Sequence, residues 1–256
     1  MKGIILAAGR GLRMKNQTED RPKCLVELAG KPLLAWQLQA LRAAGIDDLA
    51  VVCGWRAEML TDYAKSPDGG FRTIKNERWA ETNMVSSLLC TLSWAEDEEC
   101  LISYSDIVYP AAHIGALMTA DAPIAIVYDV RWEELWRLRF ADPLGDAETF
   151  REENGVLMEI GAKARSPAEI HGQYMGLLKI GSTGWKAIMD LCAEPNVNAD
   201  RLDMTGLLRR LLADGLKIGA VPVSGCWCEV DSESDLALYR EKVKTHGAWS
   251  HDWRRS

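Results

Sequence analysis

No apolar run in the 256 residues comes near the roughly 20 consecutive positions a helix needs to cross a bilayer, so no membrane-spanning helix is expected. The opening Met1–Ala8 has the look of a signal peptide, but its apolar stretch is too short and Arg10 and Arg13 follow at once. Positive charge is also in short supply. Lys and Arg number 30 against 37 Asp and Glu, a net −7, whereas a nucleic-acid surface would show a basic face. A single nucleotide is not excluded, because it needs only a few local cations and backbone donors. The seven cysteines are odd in number and scattered, which leaves no disulfide framework. Cys226-Trp227-Cys228 is a C-x-C and lacks the C-x-x-C spacing of metal or redox sites. The histidines His113, His171, His246 and His251 make no zinc-binding pair, and no G-x-S-x-G marks a covalent nucleophile. A reduced, cytoplasmic protein without nucleic-acid or membrane partners is the expectation.

What is present is a regular alternation. Apolar runs at 2–6, 49–53, 71–74, 101–104, 123–128, 174–180, 218–223 and 227–230 read as strands. Helical stretches fall at 32–44, 57–65, 84–95, 111–120, 204–213 and 232–243, with Pro32, Gly45 and Asn83 as start and stop signals. Continuous apolar strands between helices predict an α/β fold, a mostly parallel mixed sheet of Rossmann-like type with helices on both faces. One domain is expected over 1–244, with 131–170 as a charge-rich insertion or substrate-covering region. The tail 245–256 is expected either to fray or to dock on the second subunit of a homodimer.

The strongest local signal is Leu6-Ala7-Ala8-Gly9-Arg10-Gly11-Leu12-Arg13-Met14, with Pro22-Lys23 downstream. A strand feeding a loop of small residues lets backbone N–H groups approach a polyphosphate. Arg13 and Lys23 place positive charge where the outer phosphates would lie, suited to a pyrophosphate leaving group; Arg10 either joins them or faces solvent. The Walker pattern is absent, and G-x-G-x-x-G fails because Met14 stands where the third glycine belongs.

This segment resembles the signature L-A-A-G-x-G-x-R-M followed by P-K of the sugar-nucleotidyltransferase-like family, which it matches at every fixed position. That family includes NDP-sugar pyrophosphorylases and cytidylyltransferases acting on phosphocholine or aminoalkyl phosphonates. The resemblance implies a Rossmann-like sheet, a triphosphate held by Gly9, Gly11 and Arg13 beside Leu6 and Ala8, and Lys23 on phosphate during transfer.

Nucleotidyl transfer gathers negative charge, and Mg²⁺ with one or two carboxylate ligands is the usual way to offset it. Asp106 follows the strand 101–104, at the carboxyl end where open α/β sheets place ligands. Asp231 follows 227–230. Each could equally be a turn or helix-cap carboxylate, but both resemble the family's metal pair, the second in an E-V-D segment. Mg²⁺ is therefore the expected cofactor, with Asp106 and Asp231 as ligands and Lys23, Arg13 and Asp106 as the catalytic set.

The stretch Trp79–Leu88 resembles the segment that reads the base, in a form closer to phosphocholine cytidylyltransferases than to the Gly- and Gln-rich sugar enzymes. Asn83, Ser86 and Ser87 are candidates for a pyrimidine edge, or else a helix cap and first-turn hydroxyls. Trp132 and Trp136, one helical turn apart beside carboxylates, would suit an ammonium group, or else pack the helix on the sheet. Lys163 loosely resembles the lysine that binds the acceptor phosphate, and Gln173 and Tyr174 are placed in the same pocket. The expected partners are an NTP, CTP first, and a small phosphorylated amine or amino acid such as phosphocholine, phosphoethanolamine, 2-aminoethylphosphonate or phosphoglutamine. A sugar 1-phosphate acceptor is the alternative reading. A silent nucleotide sensor is the third, although such relatives usually lose one of the residues retained here as Arg13, Lys23, Asp106 and Asp231.

Overall fold

The computed structural model describes residues 1–244 and 249–255. Its first strand, β1 (Lys2–Ala7), is buried on both faces, as its unbroken apolar run requires. A loop and a small hairpin of β2 (Glu27–Leu28) and β3 (Lys31–Pro32) lead to α1 (Leu33–Ala43), which Gly45 ends at φ 81°. Then follow β4 (Leu49–Cys53), α2 (Ala57–Ala64), β5 (Arg72–Lys75), α3 (Met84–Leu89) and α4 (Leu92–Ala95). The single helix expected over 84–95 breaks at Thr91. Its N–H and its hydroxyl both bond the Leu88 carbonyl, which pulls the chain out of the i−4 ladder.

The chain continues through β6 (Cys100–Tyr104), β7 (Ile107–Val108), α5 (Ala111–Met118), β8 (Ile124–Asp129) and α6 (Trp132–Arg139). A hairpin of β9 (Glu148–Glu153) and β10 (Val156–Lys163) follows, then β11 (Gln173–Ile180) and α7 (Ser182–Cys192). The last elements are α8 (Met204–Ala213), β12 (Ile218–Val223), β13 (Cys228–Glu229) and α9 (Glu233–Lys242).

Nine strands form one sheet in the order β5-β4-β1-β6-β11-β8-β12-β10-β9. Only β11 and β10 run against the others, so the sheet is mixed but mostly parallel. Helices cover both faces. On one, Gly3 leaves room for Leu41 of α1, and Lys179 reaches the Ala120 carbonyl just after α5. On the other, Lys2 bonds the Trp94 carbonyl of α4, and Gly184 of α7 sits on Ile124. The chain runs outward from β1 to β4 and β5, then crosses back to β6 on the other side of β1. Such a reversal opens a crevice at the carboxyl ends of β1 and β6.

The stretch 131–170 is built into this architecture. Its hairpin turns through Asn154 and Gly155, both at positive φ, and β10 joins the sheet where Val156 pairs with Gly219. Over 249–255 the tail packs on its own chain. Trp249 stacks on Tyr239 at 5.3 Å, Trp253 meets Trp36 edge-on at 5.7 Å, and His251 Nε2 lies 2.9 Å from Asp129 Oδ2. The rest of the expected tail, 245–248 with His246 and position 256, lies outside the described residues.

Candidate active site

The loop after β1 is shaped by two glycines. Gly11 adopts φ 68°, and a side chain there would start 3.1 Å from Lys23 Cβ, so a glycine fits where other residues crowd the lysine. Gly9 has nothing within 4 Å of where a Cβ would be, leaving its backbone open to the crevice. Met14 is fully buried beneath the loop, and Thr18 Oγ1 donates to the Gly11 carbonyl at 2.9 Å. Arg10 folds back over the Trp55 ring, 4.6 Å from its centre.

Lys23 enters on the turn after Pro22 and is buried. Its Nζ donates to Asp106 Oδ2 at 2.8 Å and to Asp231 Oδ1 at 2.5 Å. Burial alone would lower this ammonium, but the two carboxylates outweigh it and hold the lysine above its ordinary value. Cys24, the next residue, turns into the core, where burial pushes its thiol up to about 12. Arg13, mostly exposed, reaches Asp231 Oδ2 at 3.0 Å from the mouth of the crevice.

The two aspartates meet because of a short antiparallel ribbon. Asp106 ends the turn after β6, held by the buried Gln37, whose Nε2 donates to the carbonyls of Tyr104 and Ile107. Strand β13 pairs with β7, Glu229 opposite Ile107, and the Val230 N–H bonds the Asp106 carbonyl at 2.8 Å. The ribbon also delivers Glu229, an acid absent from the set expected from the sequence. Oxygens of Asp106, Glu229 and Asp231 lie within 4.8 Å of one another. Burial and neighbouring Asp231 push the Glu229 carboxyl up to about 8, against the pull of Arg139. Asp231 goes the other way: Lys23, Arg13 and Arg139 overcome its burial and hold it below the usual range.

Arg139, at the end of α6 with no exposed side-chain surface, reaches Glu229 at 2.8 Å and both oxygens of Asp235 at 3.0 and 3.2 Å. Asp235 Oδ2 in turn accepts the N–H groups of Asp231 and Ser232 as part of the α9 capping box. An oxygen-only donor set suits a hard divalent cation, and Asp106 Oδ1 is buried with no hydrogen-bond partner among the described residues.

The loop, Lys23 and the two aspartates face one cavity of about 450 Å³. Leu6, Ala8, Gly9, Arg10, Gly11, Asn83 and Ser87 all line it, as do Arg13, Lys23, Asp106 and Asp231. Asn83 caps α3 by accepting the Met84 N–H at 2.8 Å, and Ser87 accepts from Asn76 Nδ2 at 3.0 Å. Ser86 turns away, donating to Asp200 Oδ1 at 2.9 Å. Trp79 and Tyr104 also line the cavity; Trp79 came from the segment thought to read the base, whereas nothing in the sequence singled out Tyr104.

The expected acceptor residues are placed differently. Trp136 lies in the core, its Nε1 donating to Asp146 at 3.1 Å and its ring beneath Arg139 and beside Trp227, so no ammonium reaches its face. Trp132 is likewise buried, bonded to the Ile170 carbonyl. Lys163 is exposed at the end of β10, opposite Glu148. Gln173 pairs with Asp129 across the sheet, and Tyr174 stands edge-on to Tyr104 at 5.8 Å, just behind the cavity wall.

Comparison with known sequences places this geometry. Residues 3–164 match the MobA-like NTP transferase domain. The chain belongs to this family. Among its relatives is the CTP:phosphoglutamine cytidylyltransferase of Campylobacter jejuni, 37% identical over 255 residues, covering 94% of this chain and 100% of that one. The choline-phosphate cytidylyltransferase of Streptococcus pneumoniae is 41% identical over 88 residues, 34% of this chain and 38% of that one. Solved structures give the same fold. The inositol-1-phosphate CTP transferase from T. maritima superposes with a TM-score of 0.73 at 18% identity, over 97% of this chain and 98% of that one. The CTP:phosphocholine cytidylyltransferase from S. pneumoniae gives 0.71 at 21%, over 94% and 98%. In this NTP transferase the cavity lies at the carboxyl ends of β1 and β6. No helix among its described residues is long and apolar enough to cross a membrane.

Proposed function

We propose that this NTP transferase moves a cytidylyl group from CTP to the phosphate of a small phosphorylated amine or amino acid, releasing pyrophosphate. The observation that carries the reading is the convergence of the glycine loop, Lys23 and the Asp106–Asp231 pair on one cavity. Similarity along the full length of a phosphoglutamine cytidylyltransferase supports CTP and makes phosphoglutamine the first acceptor to test.

An oxygen of the acceptor phosphate attacks the α-phosphorus, the α–β bridging bond breaks, and pyrophosphate leaves with the electron pair. The attacking group is already an anion, so no protein base is needed. The open backbone at Gly9–Gly11 cradles the phosphates, while Arg13 and Lys23 take the charge that builds on the leaving group. Asp106 and Asp231, with Glu229 beside them, would hold Mg²⁺. A bound Mg²⁺ supplies neutralisation of the phosphate oxygens. Asn83 and Ser87, which line the cavity, would face the base.

The test is pyrophosphate release with Mg²⁺ and each NTP against phosphorylated amines, amino acids and sugar 1-phosphates, with Asp106→Ala as control. Turnover with CTP and an amine-bearing phosphate, abolished in the variant, is the expected result. Turnover only with a sugar phosphate would overturn the acceptor class, and nucleotide binding without turnover on any pair would favour a sensor.

A further inference from the structure

One wall of the cavity is a single segment, residues 78–87, and Asp200 pins it from outside the cavity. Asp200 lies 122 residues beyond Arg78, in the turn Ala199–Arg201 between α7 and α8, where Asn198 Oδ1 caps its N–H at 3.1 Å. Its Oδ2 pairs with the Arg78 guanidinium at the start of the segment. Its Oδ1 accepts from Ser86 near the end, at 2.9 Å, and its carbonyl accepts the Asn83 N–H at 2.8 Å. The next two carbonyls continue the seam, Arg201 taking Asn83 Nδ2 at 3.4 Å and Leu202 the Val85 N–H at 3.2 Å. Between these fixed points stand Trp79, Thr82, Asn83 and Met84, with Ser87 just beyond, all on the cavity.

We infer that Asp200 is a positioning residue for nucleotide selectivity, resting on the nucleotidyl-transfer reading above. Cytosine and uracil differ where one carries an amine donor and the other a carbonyl acceptor. Telling them apart requires polar groups held to within about half an ångström, by partners that do not themselves touch the base. From the inside, buried Asn76 gives its Nδ2 to Thr82 and Ser87 and takes the Arg78 N–H. Asp200 is the outer half of the clamp. Being partly exposed, it can be replaced without opening the core.

The experiment is equilibrium binding of CTP and of UTP, each with Mg²⁺, to the full chain and to Asp200→Ala and Asp200→Asn, alongside melting temperatures. Loss of both carboxylate contacts in Asp200→Ala is expected to weaken CTP about five- to tenfold, on the usual worth of such hydrogen bonds, and UTP less, so the preference shrinks. Asp200→Asn keeps an acceptor for Ser86 and loses the ion pair, and should fall between. An unchanged CTP-to-UTP ratio in both variants, whether binding drops equally or not at all, overturns the role. Absence of binding to any NTP by the parent chain would instead overturn the nucleotidyl-transfer reading, and the Asp200 role with it.

Discussion

Replacing Lys23 by methionine should have two effects of opposite sign: turnover collapses, and a free divalent cation binds more tightly. The ammonium lies 2.8 Å from Asp106 and 2.5 Å from Asp231, between the oxygens that would hold a metal. A cation arriving without nucleotide has to displace it. A charge-assisted hydrogen bond is worth about 1.5–3 kcal/mol. Two are broken, but the released lysine regains water, so the net competition is about 1.5–3 kcal/mol, or roughly ten- to hundredfold in metal affinity. Methionine keeps a similar stem and removes that competitor. Loss of a cation from the leaving-group side should lower kcat by about 10²–10³. The apo variant should also melt lower, because Asp106 and Asp231 lose their buried partner, and Asp231 keeps only the exposed Arg13 and the more distant Arg139, 3.8 Å away. For a cost of about 3 kcal/mol in a chain of this size the drop is roughly 6–12 °C. Mn²⁺ titration by electron paramagnetic resonance without nucleotide, with melting curves at each metal concentration, reads both effects. A folded variant that binds Mn²⁺ no better than the parent would refute the idea that lysine and metal compete for the same oxygens.

Two further outcomes follow from the same geometry. Gly11→Ala forces a side chain into φ 68° and against Lys23, so it should cost about 1–2 kcal/mol of stability and weaken nucleotide binding; a variant that binds nucleotide like the parent would show that the loop relaxes freely. His113 of α5 is buried, with Nδ1 unpartnered among the described residues, and burial pushes it down to about 4. The native state then binds fewer protons than the unfolded one between about pH 6.5 and 4, so stability is complete above 6.5 and falls by about 3 kcal/mol across that window. His113→Leu should flatten the melting temperature there, and parallel curves for parent and variant would contradict it.

The loop and the two aspartates were legible because each follows an apolar run that marks a strand, and strand ends in such sheets face one crevice; Lys23 was legible from the Pro22-Lys23 pair downstream of the loop. Glu229 was not, although it stands two residues from Asp231. The two flank Val230, but only the pairing of β13 with β7 and the Val230 N–H bond to the Asp106 carbonyl bring both beside Asp106. Ser86 and Ser87 look equivalent in sequence. Helical geometry separates them by about 100°, sending Ser87 inward to Asn76 and Ser86 outward to Asp200. The tryptophans of α6 misled for a related reason. Trp132, Leu135 and Trp136 form the apolar stripe of an amphipathic helix, with Arg139 buried at its end, while Glu134 and Arg137 point to solvent. Helix α7 went unread, its Gly184, Trp185, Ile188 and Leu191 stripe hidden among small and polar residues.

Cys24 stands beside Lys23, yet its thiol is sealed in the core and held near 12, so it carries almost no thiolate at neutral pH. The half-buried Cys90, Cys192 and Cys226 are the thiols that oxidants and alkylating reagents meet first, all of them outside the cavity lining. Chemical damage to this molecule therefore starts at its periphery, and a thiol-reactive probe that labels it reports on those outer positions while the crevice around Lys23 stays untouched.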